Sequence, residues 1–180
     1  MNSDALKKLK TLRRIHIPGA IYFVTASTHR KATVLRERSA HAVSAALQRL
    51  RAESRADVLA YVVMPDHLHA LLVPRGGDQI GKVVAFIKHV SSKSVRRGGF
   101  AGRVWEERFY DRVLRNEDEL RNAVAYIHAN PVRAGLCEDE RAWPWSTEHT
   151  SVPSNLTRVF ARWNTAAASR SNWRPDDSEG

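Results

Sequence analysis

Cysteine is almost missing from this chain. Cys137 is the only one in 180 residues, which excludes an internal disulfide framework and a zinc cluster built on thiolates. Long apolar runs are missing too. None approaches the roughly 20 residues needed to span a bilayer, so no spanning helix is expected. The basic opening Met1-Asn-Ser-Asp-Ala-Leu-Lys-Lys-Leu-Lys is not followed by an apolar core or a small-residue cleavage site, and no secretory leader is expected. Internal repeats are absent. A cytoplasmic location, in association with the nucleoid, fits these absences.

Acidic charge is in short supply. There are 29 Lys+Arg against 19 Asp+Glu, a formal net charge of +10. A field of that sign favours a polyanionic partner, most simply nucleic acid and otherwise a membrane surface. The cations cluster at Lys7, Lys8, Lys10, Arg13 and Arg14, and again at Lys88, Lys93, Arg96, Arg97 and Arg103. Acidic residues collect at 117–119, at 138–140 and near the C-terminus.

Hydrophobic residues make up 43% of the chain, enough for a real core. Ile21 to Ser27 predicts a first strand after the Pro18-Gly19 turn. Val43, Ala46, Leu47 and Leu50 at helical spacing predict a helix from Ser39, as N-cap, to about Glu53. Strands over Val58–Val63 and His67–Val73 follow as a tight hairpin. Ile80, Val83, Val84 and Ile87 predict a helix over about 79–95, with Lys82, Lys88 and Lys93 on its other face. Arg96 to Gly102 is expected as a flexible basic loop, and a fourth strand runs from about Arg108 to Leu114. Asn116 with Glu119 three residues on has the capping-box arrangement. That helix is expected to reach about Ala129 and stop at Pro131, because proline disfavours helical geometry in the residue before it.

The order β-α-β-β-α-β-α suits a ferredoxin-like α+β fold, an antiparallel sheet with helices mainly on one face. Such a sheet keeps a face for ligand chemistry. The expected organisation is one domain over residues 1–150 and a polar tail over 151–180. In the tail, Leu156, Val159, Phe160 and Trp163 suit one short amphipathic helix, and 166–180 has a disordered composition.

The hairpin carries the most informative pattern, Tyr61-Val-Val-Met-Pro-Asp-His67-Leu68-His69-Ala-Leu-Leu-Val73. Side chains two apart on a strand point the same way, so His67 and His69 converge on one face. Two such imidazoles can take adjacent positions on one metal ion. They can equally be two separately satisfied histidines. Asp66 is a candidate to orient one of them as an outer acceptor, although completing the Pro65-Asp66 turn is the simpler role.

Tyr126-Ile-His-Ala-Asn130-Pro131 supplies a second pair. Positions i and i+4 share a helical face, so a phenol and an amide oxygen project together. Beside the histidines they make the equipment for a tyrosine attacking phosphorus. The plainer account makes Tyr126 a core-edge aromatic and Asn130 a C-terminal cap. A hydrolase using metal-activated water ranks lowest, for want of a further carboxylate near the histidines.

The segments Val62-Val-Met-Pro-Asp-His67-Leu68-His69, Trp105-Glu-Glu-Arg108-Phe-Tyr-Asp, Leu114-Arg-Asn116, Tyr126-Ile-His-Ala-Asn130-Pro-Val-Arg-Ala-Gly135 and Trp143-Pro-Trp-Ser146 resemble the REP-associated tyrosine transposases. These are a branch of the IS200-like, single-tyrosine HUH transposase superfamily, and the similarity spans roughly Arg14 to Ser146. The resemblance implies His67, His69 and Asn130 as ligands of Mg²⁺ or Mn²⁺, and Tyr126 as the nucleophile. It implies cleavage of single-stranded DNA to a 5′-phosphotyrosine link and a free 3′-OH, then strand joining, on hairpin-forming repeats. No nucleotide cofactor and no membrane enter this chemistry. A monomer is favoured over a dimer.

Arg13, Arg14, Lys88 and Lys93, with Arg96, Arg97, Arg103 and Arg108, are the expected DNA phosphate contacts. Trp105 and Tyr110 are candidates to stack an unpaired base, Trp105 being better suited to the core. The position of His128 is a second tyrosine in some relatives, so this motif has one. Tyr110 is a rival nucleophile without a ligand-type residue four positions on. The competing reading is a non-catalytic nucleic-acid-binding regulator on the same fold.

Overall fold

The computed structural model describes residues 17–148. The predicted tail, its amphipathic helix and the basic N-terminal cluster with Arg13 and Arg14 lie outside the described residues. The elements are β1 (Tyr22–Ser27), α1 (Arg38–Ala52), β2 (Ala56–Met64), β3 (His67–Pro74), α2 (Ile80–Arg97), β4 (Tyr110–Val113) and α3 (Glu117–Arg133). The strands form one antiparallel sheet in the order β2-β3-β1-β4, the ferredoxin-like arrangement expected.

Two cores flank the sheet. On one face Val43, Leu47 and Leu50 of α1 and Val83 and Ile87 of α2 pack on Val24, Val58, Leu68 and Leu72. On the other, Leu120, Ala123 and Ile127 of α3 pack on Ile21, Leu59, Leu71 and Val73. Strands covered on both sides need apolar residues at nearly every position, and β2 and β3 are buried almost throughout. In contrast, β1 alternates buried and half-buried residues, because its α3 side is only partly covered. A bulge between Val58 and Ala60 puts Leu59 and Ala60 both on the α3 side and resets the phase of β2.

Three element ends differ from the sequence expectation. Ser39 is inside α1 and is not its cap; its hydroxyl accepts from the Arg36 N–H (2.9 Å) and fastens the loop folded back on the helix start. Arg96 and Arg97 form the last turn of α2 instead of a loop, and the chain turns at Gly98 and Gly99, the latter at φ 92°. The apolar stripe stops before the backbone hydrogen bonds do. Pro131 lies within α3, which runs on to Arg133. The stop is Gly135 at φ 66°: its N–H donates to Val132 O (2.9 Å) and the Leu136 N–H to Pro131 O (2.9 Å), a Schellman closure. No helix among the described residues is long and apolar enough to cross a membrane.

Candidate active site

The histidine hairpin is rigid because its turn is held from outside. Met64 pairs with His67 across the two-residue turn Pro65-Asp66. The Thr28 N–H and hydroxyl both donate to Asp66 O at 2.9 Å, and the Leu35 N–H donates to Pro65 O at 2.9 Å. Strand alternation then sends Leu68 into the core of α1 and α2 and His67 and His69 to the α3 side, with ring centroids 4.6 Å apart.

Each imidazole is anchored through Nδ1. That of His67 lies 2.5 Å from Asp66 Oδ1, so the carboxylate both belongs to the turn and orients the ring. That of His69 lies 2.9 Å from Thr25 Oγ1, one strand away. A carboxylate accepts only, so in the neutral form of the His67 ring Nδ1 carries the proton and Nε2 presents its lone pair. His69 is 6% exposed, and burial, helped by the nearby His67 and Lys31 charges, pushes its pKa down to about 3. It is therefore a neutral imidazole, the form a metal needs.

Helix α3 brings the second pair. Asn116 caps it, its side chain accepting from the Glu119 N–H at 2.8 Å. The Glu119 carboxylate does not reach back to Asn116 as a full capping box requires; it accepts from the Arg115 N–H and pairs with Arg112. Packing of Leu120, Ala123 and Ile127 sets the rotation of the helix and turns Tyr126 toward β1 and β3. Its ring is 5.3 Å from that of His69 and 6.1 Å from that of Phe23, edge-on to both, and it is 40% exposed. The Arg133 guanidinium lies 5.6 Å over it. Asn130 is half-buried one turn further on, its Nδ2 donating to Tyr126 O at 3.5 Å, which turns the amide oxygen to other partners.

His67, His69 and Tyr126 thus share one side of the sheet, with Asn130 on the Tyr126 side of α3. Among the described residues no third His, Cys, Asp or Glu joins the histidines in a metal-binding cluster. The donor set still suits a divalent ion: two imidazoles each held at Nδ1 by an outer partner, and one amide oxygen. His128 points elsewhere, between Thr147 (3.1 Å) and Glu148 (3.3 Å), and burial lowers its pKa.

The expected DNA contacts divide. Lys93, Arg96 and Arg97 are exposed, on the helix behind the sheet, away from the histidines. Lys88 does not extend to solvent as a phosphate contact would. Its ammonium donates to the carbonyls of Glu106, Glu107 and Arg108 at 2.8, 3.3 and 3.2 Å, which ties down the approach to β4. Arg103 and Arg108 are exposed on that same approach, Arg103 also donating to Trp105 O. Trp105 is 5% exposed with its Nε1 donating to Ser91 Oγ, so it is core and does not stack a base. Tyr110 is 58% exposed.

Sequence reasoning missed Thr25, Phe23 and Arg133, which touch the site through register and packing that no local pattern reveals. It also missed the role of the Trp143–Thr147 segment. Val63 donates to Trp145 O and Trp143 Nε1 to Val63 O, so this segment closes the outer edge of β2.

The family model for IS200-like transposases matches residues 18–130. A REP-associated tyrosine transposase of Escherichia coli is 28% identical over 145 residues, covering 80% of this chain and 86% of that protein. A Haemophilus influenzae relative is 24% identical over 166 residues, covering 82% of this chain and 90% of its own. Among solved structures, a REP-associated tyrosine transposase bound to a REP hairpin superposes with a TM-score of 0.65 at 25% identity, covering 93% of each chain.

Proposed function

The chain belongs to the IS200-like transposase family, and from that premise we propose that it cuts and rejoins single-stranded DNA at hairpin-forming repeats through a 5′-phosphotyrosine link. The observation that carries this reading is the Tyr126 ring set 5.3 Å from His69 on the face that also bears His67. A REP hairpin bound to the similar solved structure supports the substrate class.

In this reading Tyr126 is the nucleophile. Its phenolic oxygen bonds to phosphorus, the P–O3′ bond breaks, and the departing oxygen takes a proton to become a free 3′-OH. Attack by a 3′-OH on the phosphotyrosine reverses the step and joins strands. The ester conserves the bond energy, so no nucleotide cofactor is required. His67, His69 and Asn130 would hold a divalent ion, Mg²⁺ or Mn²⁺. When bound there, such an ion supplies Lewis-acid polarisation of a phosphate oxygen. Asp66 and Thr25 keep the two rings aimed, and burial keeps His69 neutral. The protein acts as a monomer on chromosomal DNA in the cytoplasm.

The test is incubation of the full chain with a hairpin-bearing single-stranded oligonucleotide and Mn²⁺, resolving the covalent adduct by denaturing electrophoresis. Wild type should form it, EDTA should abolish it, and Tyr126→Phe should lose it while binding DNA as before. An adduct undiminished in Tyr126→Phe refutes the nucleophile; binding without any adduct in wild type favours a non-catalytic regulator.

A further inference from the structure

Among the described residues, the α3 side of the sheet is only half covered. α3 packs on β2 and β3, and its rim reaches β1 through Tyr126 against Phe23. Beyond that rim the floor is made by β1 and β4. Thr25 pairs with both Tyr110 and His69, so these three residues form one row across three strands, with side chains on the same face. Strands lie about 4.8 Å apart, which places the Tyr110 backbone roughly 10 Å from that of His69. Two residues on, Arg112 pairs with Phe23 and shares that face.

Tyr110 is the most exposed large apolar side chain among the described residues, at 58%. An exposed aromatic on a pleated face, level with a phosphate-chemistry site, offers an open π-face to a planar ligand. Arg112 beside it and exposed Arg108 and Arg115 along the same edge make the surroundings cationic. Arg112 pairs with Glu119 at 3.0 Å, so it is held in place on this rim. Flat rings beside cations on an open sheet suit unpaired nucleotides, because every base offers a π-face.

We propose that the uncovered half of this face, floored by Phe23 and Tyr110, seats the unpaired segment of a single-stranded DNA substrate, with the Tyr110 ring stacked on a base beside the bond that is cut. This rests on the transposase reading for the position of the cut. The row of paired residues makes Tyr110 a binding and positioning residue and not a second nucleophile, since the one ligand-type side chain on β4, Asp111, pairs with Val24 and alternates to the opposite face of the sheet.

The experiment measures fluorescence anisotropy of 5′-labelled dT16 with the full chain in EDTA at fixed salt. Tyr110→Ala should weaken binding about fivefold or more, the low end of one base–aromatic stack, while Tyr110→Phe stays within about twofold of wild type. Ultraviolet crosslinking of a 5-iodouracil-substituted dT16 should map to the peptide containing Tyr110. Unchanged affinity in Tyr110→Ala, or an equal loss in Tyr110→Phe, overturns the proposal. So does a change in oligomeric state in Tyr110→Ala with dT16 binding intact, which would assign the face to a second copy of the chain. The adduct assay separates the two readings. Tyr110-dependent binding without an adduct fails the enzyme alone, and an adduct with Tyr110-independent binding fails the stacking alone.

Discussion

Thr25 is the side chain through which the sheet aims His69. Its hydroxyl is the Nδ1 partner at 2.9 Å, and nothing else among the described residues bonds to that ring. Thr25→Val keeps the shape and removes the partner, so Mn²⁺ affinity should fall about 10- to 100-fold by isothermal titration, with the melting temperature little changed. His69 also sets a pH dependence in the metal-free protein. Its folded pKa is pushed down to about 3 from an ordinary value of 6.5, so the unfolded chain binds the extra proton between those values. Stability is then full above pH 6.5 and declines as the pH falls below it. Between pH 7 and pH 5 the loss is about 2 kcal/mol from this residue, with half-buried His128 contributing in the same direction. Urea unfolding in EDTA at the two pH values measures it, and His69→Gln should flatten the difference. A stability unchanged from pH 7 to pH 5 in wild type would show that His69 is solvated. The histidine pair itself was legible from a period of two. Thr25 was not, since its pairing with His69 depends on a register set 44 residues away in the chain.

At the scale of elements, the placement of the site depends on where α3 ends. Pro131 is the stronger local signal and predicts an early stop, yet proline forbids only its own N–H bond and disfavours helix in its predecessor. Burial of Pro131 beneath the last turn and the Schellman closure at Gly135 hold the helix together past it. Asn130 therefore sits in continuous helix, one turn from Tyr126, instead of at a frayed end. An alanine forced to φ 66° costs about 1 kcal/mol. Gly135→Ala should lower the melting temperature by about 2–4 °C and weaken Mn²⁺ binding, leaving adduct formation recoverable at saturating metal. Calorimetry and a metal titration of the adduct yield check both. The strands were legible because alternation and apolar runs are local. The assignment of α3 to the face opposite α1 and α2 was not written in any one segment; it follows from Leu120, Ala123 and Ile127 meeting the bulged side of β2.

On the scale of the whole molecule, the charge is spread over two sides of one sheet while the chemistry is on one. The +10 net charge predicts affinity for any nucleic acid, but Lys93, Arg96 and Arg97 lie on α2, behind the sheet, away from His67, His69 and Tyr126. Composition could announce the polyanion and could not say which cations face the site, because that division appears only once the helices take sides. The separation has a measurable consequence. Cations remote from the reacting phosphate add long-range attraction and hold the duplex, which enters the binding constant and its salt dependence but not the geometry of attack. Arg96→Ala with Arg97→Ala should weaken binding of a DNA hairpin and reduce the slope of log K against log salt by about 0.9 for each phosphate left without its cation. Single-turnover adduct formation at saturating DNA should stay within about twofold of wild type, since Tyr126 and the histidines are untouched. A slowed rate at saturation, with the salt slope unchanged, would mean that the last turn of α2 reaches the cleaved strand and that the two faces act as one surface.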